Sequence, residues 1–352
     1  MSWFIFALIA TLGWGLADLF YKKGTDENDG QSHLKIAVWV GLIMGVVSLC
    51  LLPFSESGLN FAAICDKGVK YLPASLAYII SMVIGYAGLR YLELSIVSPV
   101  QNASGAFSAI AMFVYFLVIG RVSSFSEEFS TLDVIGTILI VIGVIALAFV
   151  EKSLSKAEAA KADKKYKLGA LALLFPIAYC IFDTVGTAAD GIILDEEAGL
   201  GLGEIDVLIL YGLTFLIAGI GCYIYMWIRN KKPYNPFTKK DITTKGIAAL
   251  AEQFGQIFYV FAMADKPMLA APMIASYCIV SVILSRIFLK EKLKLSQALC
   301  VLTVIVGIVI LGISEGLAEA EDVEEDEIET VEEGEEISEE AFANLVFDFE
   351  NV

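Results

Sequence analysis

The sequence predicts an all-α membrane protein, ten transmembrane helices laid out as two inverted five-helix repeats, and three observations carry that expectation. Apolar residues fill 57% of the 352 positions, with a mean hydropathy of +0.73, more than one or two aqueous cores require. Ten stretches reach the roughly 17–25 mostly apolar residues that a helix needs to cross a bilayer. Landmarks also recur at an offset of 173 residues, pairing Tyr86 with Tyr259, Pro99 with Pro272 and Ser108 with Ser281. Asp18 and Asp183 take matching places in the first and sixth stretches, and Ile142-Gly143-Val144 in the fifth matches Val306-Gly307-Ile308 in the tenth.

The expected spans run over 3–21, 36–53, 71–91, 96–119 and 132–150, then 168–187, 207–228, 247–264, 269–289 and 295–313. The first has no basic residues ahead of its apolar run, and Lys22 and Lys23 follow it, so it reads as a retained span and not as a signal peptide. Spans three and four are joined only by Leu92–Ser95, and spans eight and nine only by Asp265–Met268, so each pair forms an antiparallel hairpin. This divides the chain into a first repeat (1–150), a basic linker loop (151–167), a second repeat (168–313) and an acidic tail (314–352). Five spans per repeat is an odd number, which turns the second repeat upside down relative to the first.

The net charge of −17 belongs to the tail: residues 314–352 hold 17 acids and no Lys or Arg, leaving 24 acids against 24 bases before them. Self-repulsion is expected to keep the tail disordered, although its end, Ala341–Phe347, turns apolar again. Of the 24 Lys and Arg, 20 fall in the loops after odd-numbered spans. Those loops are therefore expected to be cytoplasmic, with both termini and an acidic loop Asp190–Asp206 outside. The six cysteines are scattered without paired spacing and read as small core residues, not as a metal or disulfide framework. His33, the one histidine, is placed in a loop, and with no other His the chain offers no His-based metal site and no Ser-His catalytic unit. Nothing matches a phosphate-binding Gly-x4-Gly-Lys-Ser/Thr loop, so no ATP-driven chemistry is expected, and no cofactor.

Ionisable and amide groups inside lipid are costly, and they mark pathways for polar solutes or protons. Asp18 and Asp183 are the leading candidates, able to hold an amine or to load and release a proton. The alternatives are an ion pair with Lys22, one turn away, for Asp18, and a place near the membrane edge for Asp183. In span eight Glu252 and Gln256 share a helix face with Tyr259 and Met263; a cavity or interhelical glue would each explain that stripe. Span four opens with Pro99, Gln101 and Asn102, and span nine with Pro272, Ser276 and Tyr277. A proline there loosens the backbone ladder, making either a pocket wall or a plain kink. Trp14 and Tyr179 precede the paired acids by one turn, suited to a cationic or ring-bearing ligand and equally ordinary as core aromatics. Gly41 and Gly45 read as packing residues.

Several of these residues resemble the ten-helix, EamA-type members of the drug/metabolite transporter superfamily. The likeness rests on Trp14-Gly15 in the first span, the short hairpin into Pro272, and Ser285-Arg286-Ile287-Phe288-Leu289-Lys290-Glu291-Lys292-Leu293 followed by Gly307 and Gly312. It implies a central cavity lined by spans one, three, four, six, eight and nine, and transport of small metabolites, amino acids or drugs by alternating access. The loop 121–132 lacks the glutamate turn of its counterpart, and the acidic tail departs from the family pattern.

The sequence thus reads as a non-enzymatic secondary transporter of a small polar solute in the cytoplasmic membrane. Asp18, Asp183 and Glu252 are expected to contact solute or proton, with Gln101, Asn102, Gln256, Tyr277, Trp14 and Tyr179 beside them. Expected partners are the bilayer, the solute and a coupling proton or sodium ion, with a homodimer left open and no nucleic acid. A sugar or nucleotide-sugar carrier, and a receptor or scaffold acting through its tail, are the rival readings.

Overall fold

The computed structural model describes residues 2–26, 28–55, 58, 60–92, 94–159, 172, 174–195, 199–288, 294–318 and 320. The turn Leu289–Leu293, the later part of the linker and the acidic stretch from 321 lie outside the described residues.

Among the described residues the regular elements are all helical, and ten helices are long and apolar enough to cross a membrane. In lipid a helix satisfies its own backbone polar groups, which is why long apolar runs choose it. The first half comprises α1 (Trp3–Gly24), α2 (Ser32–Leu51), α3 (Phe61–Gly88), α4 in two segments (Leu94–Gln101 and Ser104–Ile119) and α5 (Thr131–Ala159). The second comprises α6 (Leu174–Leu194), α7 (Glu204–Asn230), α8 (Ile247–Asp265, entered through a π turn at Ile242–Gly246), α9 in two segments (Pro267–Ala275 and Tyr277–Phe288) and α10 (Leu295–Ala318). Pro99 and Pro272 each stand in the first segment of a broken helix, so the two breaks occupy matched positions. Asn60 caps α3 by accepting from the Ala63 amide at 3.0 Å, and α4 ends on Gly120 in the left-handed region, φ 76°.

Four of the boundaries that differ from expectation have a local reason. The first turns of α3 begin at Phe61, ten residues ahead of the expected Tyr71, and carry an exposed i,i+4 ion pair, Lys70 to Asp66 at 2.9 Å. The helix α5 runs past Val150 to Ala159 through a Lys-, Ala- and Glu-rich segment of good helix formers. At its far end α10 continues to Ala318, five residues into the expected tail, because Glu315 is held there: the Trp3 indole donates to it at 2.5 Å and Lys266 lies 3.4 Å away. The largest correction concerns α6, which ends at Leu194 and not Thr187, so that Asp190 is inside a helix and wholly buried. Asp206, in the first turn of α7, is also buried and accepts from the Ser55 hydroxyl at 2.6 Å. Both ends of the expected outside loop are therefore interior residues, kept there by hydroxyl donors that an apolar-run criterion cannot see.

The helix pairing follows one rule. In the second half α7 packs on α2, and α9 on α4; α8 packs on α1 as α6 does on α3. Exchanging every helix for its counterpart five places on reproduces these contacts. The α2–α7 seam is close enough that a side chain on Gly41 would meet Gly219 Cα at 2.9 Å, and one on Gly136 of α5 would meet the Gly307 carbonyl of α10 at 3.0 Å. Gly41 is thus a packing residue, as its spacing with Gly45 suggested.

Contacts between loops define two ends of the bundle. At one end the α1–α2 and α7–α8 loops meet through Asn230 to Gln31 (2.6 Å) and Lys240 to Asp26 (3.7 Å), and Arg90, beyond α3, donates to the Gly30 carbonyl. At the other, Trp3 donates through its backbone to Asp265, Ser130 meets Ser314, and Arg121 lies 3.6 Å from Asp195. Among the described residues, the α1–α2, α3–α4 and α7–α8 loops therefore share the first end, and the starts of α1 and α5 and the end of α10 share the second. In α9 83% of the span is buried, against 28% in α5 and α10, so α9 lies near the centre and α5 and α10 face lipid.

Candidate functional site

Where the two halves meet, they enclose a cavity of about 60 Å³. The nine residues singled out in the sequence all line it: Trp14 and Asp18 from α1, Gln101 and Asn102 from the break in α4, Tyr179 and Asp183 from α6, Glu252 and Gln256 from α8, and Tyr277 from α9. Helical spacing explains the grouping, since members of each pair on α1, α6 and α8 stand four residues apart on one face. The breaks supply the remainder, because Asn102 and Tyr277 sit where the backbone of α4 and α9 changes course.

Asp18 is buried and accepts two hydroxyls, Ser98 of α4 at 2.6 Å and Ser281 of α9 at 2.7 Å. The Asn102 amide donates to the Ser98 carbonyl at 2.8 Å, which steadies the first of these donors. Lys22 is not the partner of Asp18. Its ammonium donates to the Leu89 and Leu92 carbonyls, both at 2.7 Å, at the end of α3. Asp183 accepts from Ser104 of α4 at 2.6 Å, and Ser108, one turn on, donates to the Thr184 carbonyl at 3.3 Å. Glu252 completes a set of three carboxylates on the cavity wall, and none of the described lining residues is Lys, Arg or His. His33 stands in the first turn of α2, not in a loop, and away from the cavity.

Aromatic rings form much of the remaining wall. Trp14 lies against Tyr259 (ring centres 5.0 Å) and edge-on to Tyr277 (5.7 Å), and its indole donates to the Glu252 carbonyl at 3.3 Å. Gly85 of α3 makes room for the ring of Tyr179 and the amide of Gln101, which a side chain there would meet at 2.6 and 2.7 Å. Sequence reasoning missed Tyr21, Tyr78, Tyr86, Thr187 and the α7 residue Tyr211, all of which line the cavity. Two of them had a legible signal. Tyr21 follows Asp18 by three residues on the same helix, and Tyr86 shares the repeat offset with Tyr259. The remaining three carry no pattern in the sequence that separates them from core residues.

Four buried polar atoms at this wall have no hydrogen-bond partner among the described residues: the hydroxyls of Tyr21 and Tyr86, and the amide nitrogens of Gln101 and Gln256. Leaving such groups unpaired costs about 1–3 kcal/mol each. Carboxylates, partnerless polar atoms and aromatic faces thus converge on one cavity.

A model of the EamA-like transporter family matches residues 198–313, which cover α7 to α10. No curated protein matches the chain by sequence. Among solved structures, one described only as a crystal structure of a protein aligns over 88% of this chain and 96% of its own, with 12% identity and a TM-score of 0.58. At that identity the likeness speaks for the fold alone. Over residues 198–313 the chain is thus similar to EamA-like transporters, and its ten membrane-length helices make it a multi-pass integral membrane protein.

Proposed function

We propose that the chain is a secondary transporter that carries a small cationic or zwitterionic solute across the cytoplasmic membrane by alternating access. The observation that carries this reading is the convergence of Asp18, Asp183 and Glu252 on one cavity that no described basic side chain lines, together with the unpaired groups of Tyr21, Tyr86, Gln101 and Gln256. An ammonium group satisfies the carboxylates, aromatic faces such as Trp14 and Tyr259 support a positive charge, and the amides and hydroxyls select the rest of the molecule. Ligand pockets ordinarily span roughly 300–1,000 Å³. A cavity of about 60 Å³ therefore takes a metabolite only when the halves part, which fits rocking about a shared site. Odd-numbered loops face the cytoplasm in this reading, and a solute, proton or sodium gradient drives the cycle.

Stabilisation of the purified protein by a panel of amines, amino acids and sugars tests the assignment, repeated with Asp18→Asn and Asp183→Asn. An amine or amino acid that stabilises the parent and neither variant is the expected result. A sugar that stabilises all three equally would instead favour the neutral-solute carrier, for which the aromatic faces are the supporting observation.

A further inference from the structure

Asp190 lies outside the cavity wall and takes no part in the reading above. It is wholly buried on α6, and two tyrosines donate to it: Tyr71 of α3 to Oδ1 at 2.8 Å and Tyr259 of α8 to Oδ2 at 3.3 Å. The Tyr259 hydroxyl meets the Tyr78 hydroxyl at 2.5 Å, and Tyr78 donates to Thr187 at 3.1 Å. Unlike Asp190, these last three residues line the cavity. Asp183, Thr187 and Asp190 follow one another at i, i+4 and i+7, so a single face of α6 carries both carboxylates and the hydroxyl between them. The groups facing Asp190 are Tyr71 and Tyr78 of α3, Tyr259 of α8 and Tyr211 of α7, with Asp183 on its own helix. None of these is a cation. The repeat offers no equivalent either, because the offset relating Asp18 to Asp183 puts Thr25 opposite Asp190.

We propose that Asp190 is a proton-binding site, separate from the solute cavity and joined to it by the hydroxyl chain Tyr259–Tyr78–Thr187. A carboxyl in an apolar interior without a cation is held most cheaply with a proton on it, and hydroxyls at hydrogen-bonding distance form a path along which that proton moves. One proton leaves the Asp190 carboxyl for the Tyr259 oxygen as Tyr259 passes its own to Tyr78, Tyr78 its own to Thr187, and Thr187 its own to the Asp183 carboxylate one turn away on the same face. Each hydroxyl ends with one proton, Asp190 is left as the carboxylate, and Asp183 carries the proton. Such a site would let an ion gradient act on the bundle without competing with solute for Asp18 and Glu252.

The test uses the full chain in lipid vesicles with no solute, so it succeeds or fails independently of the transport reading. Infrared difference spectra between acid and alkaline pH are expected to show a titrating carboxyl band that Asp190→Asn removes. In Tyr259→Phe the band is expected to persist while its decay after a pH jump slows by about tenfold or more, since the hydroxyl next to the carboxyl is gone. A band unchanged in Asp190→Asn, or a decay unchanged in Tyr259→Phe, overturns the proposal. Should Asp190→Asn fail to fold, Tyr71→Phe takes its place. Loss of the hydrogen bond to Oδ1 must then move the frequency of the titrating band, and a band that stays where it was overturns the proposal equally.

Discussion

Asp18 and Asp183 occupy matched places in the two halves, yet they are held differently. Asp18 takes one hydroxyl from each broken helix, Ser98 of α4 and Ser281 of α9. Asp183 takes one from α4 alone, Ser104. At the repeat offset Ala271 of α9 stands where α4 has Ser98, and Tyr277 where α4 has Ser104. So α4 supplies hydroxyls to both acids from the two sides of its break, while α9 supplies one to Asp18, from Ser281, and the aromatic ring of Tyr277. Matched helices carry the two carboxylates, and residue differences between the two broken helices set which hydroxyls meet each. Among the described hydroxyl contacts, those of Asp18 tie α1 to both broken helices and that of Asp183 ties α6 to α4.

Neutralising the acids should break the comparison most strongly. Asp18→Asn and Asp183→Asn together should abolish binding of a cationic solute. Each alone should weaken it roughly 10- to 100-fold, the size of a lost charge-assisted hydrogen bond of ~1.5–3 kcal/mol. Titrating the solute against thermal stability reads the effect, and equal losses in the two single variants would show that their different settings do not matter.

A smaller effect is expected from the hydroxyls. Ser104→Ala removes the hydroxyl on Asp183, whereas Ser281→Ala leaves Asp18 with Ser98, so the first should cost about 1 kcal/mol of stability and the second less. Melting temperatures of the two variants in the same detergent compare them directly, and the reverse order would contradict the assignment.

Ala271→Ser sharpens the same contrast by placing a hydroxyl at the counterpart of Ser98. If the halves are related as the packing suggests, it should give Asp183 a second donor and raise stability by a few tenths to ~1 kcal/mol. A fall in melting temperature would mean that the close approach of α4 and α9, where Gly105 leaves space for the Ala271 carbonyl, has no room for the oxygen.

The least effect should come from the periphery. Truncation after Ala320 keeps Glu315 and its contacts with Trp3 and Lys266, so solute uptake into vesicles should stay within about twofold of the parent. Loss of uptake in that variant would favour a role carried by the acidic tail.

Much of this molecule is legible in the chain because lipid imposes simple requirements. Long apolar runs must be helices, prolines in matched places must break the same pair of helices, and an acid, amide or aromatic repeated at helical spacing must share a face. The spans, the two hairpins and the nine residues that line the cavity follow from those constraints. What depends on other parts of the chain had to come from the tertiary structure. Asp190 reads as a loop acid because its charge ends an apolar run, and only Tyr71 and Tyr259, 119 and 69 residues away, make its burial tolerable. Lys22 looks like the natural partner of Asp18 at one turn's distance, yet the carbonyls at the end of α3 claim it and serines from α4 and α9 take its place. Periodicity along one helix determines which residues share a face. Which group on another helix meets them depends on packing between segments far apart in sequence, and that the tertiary structure alone decides.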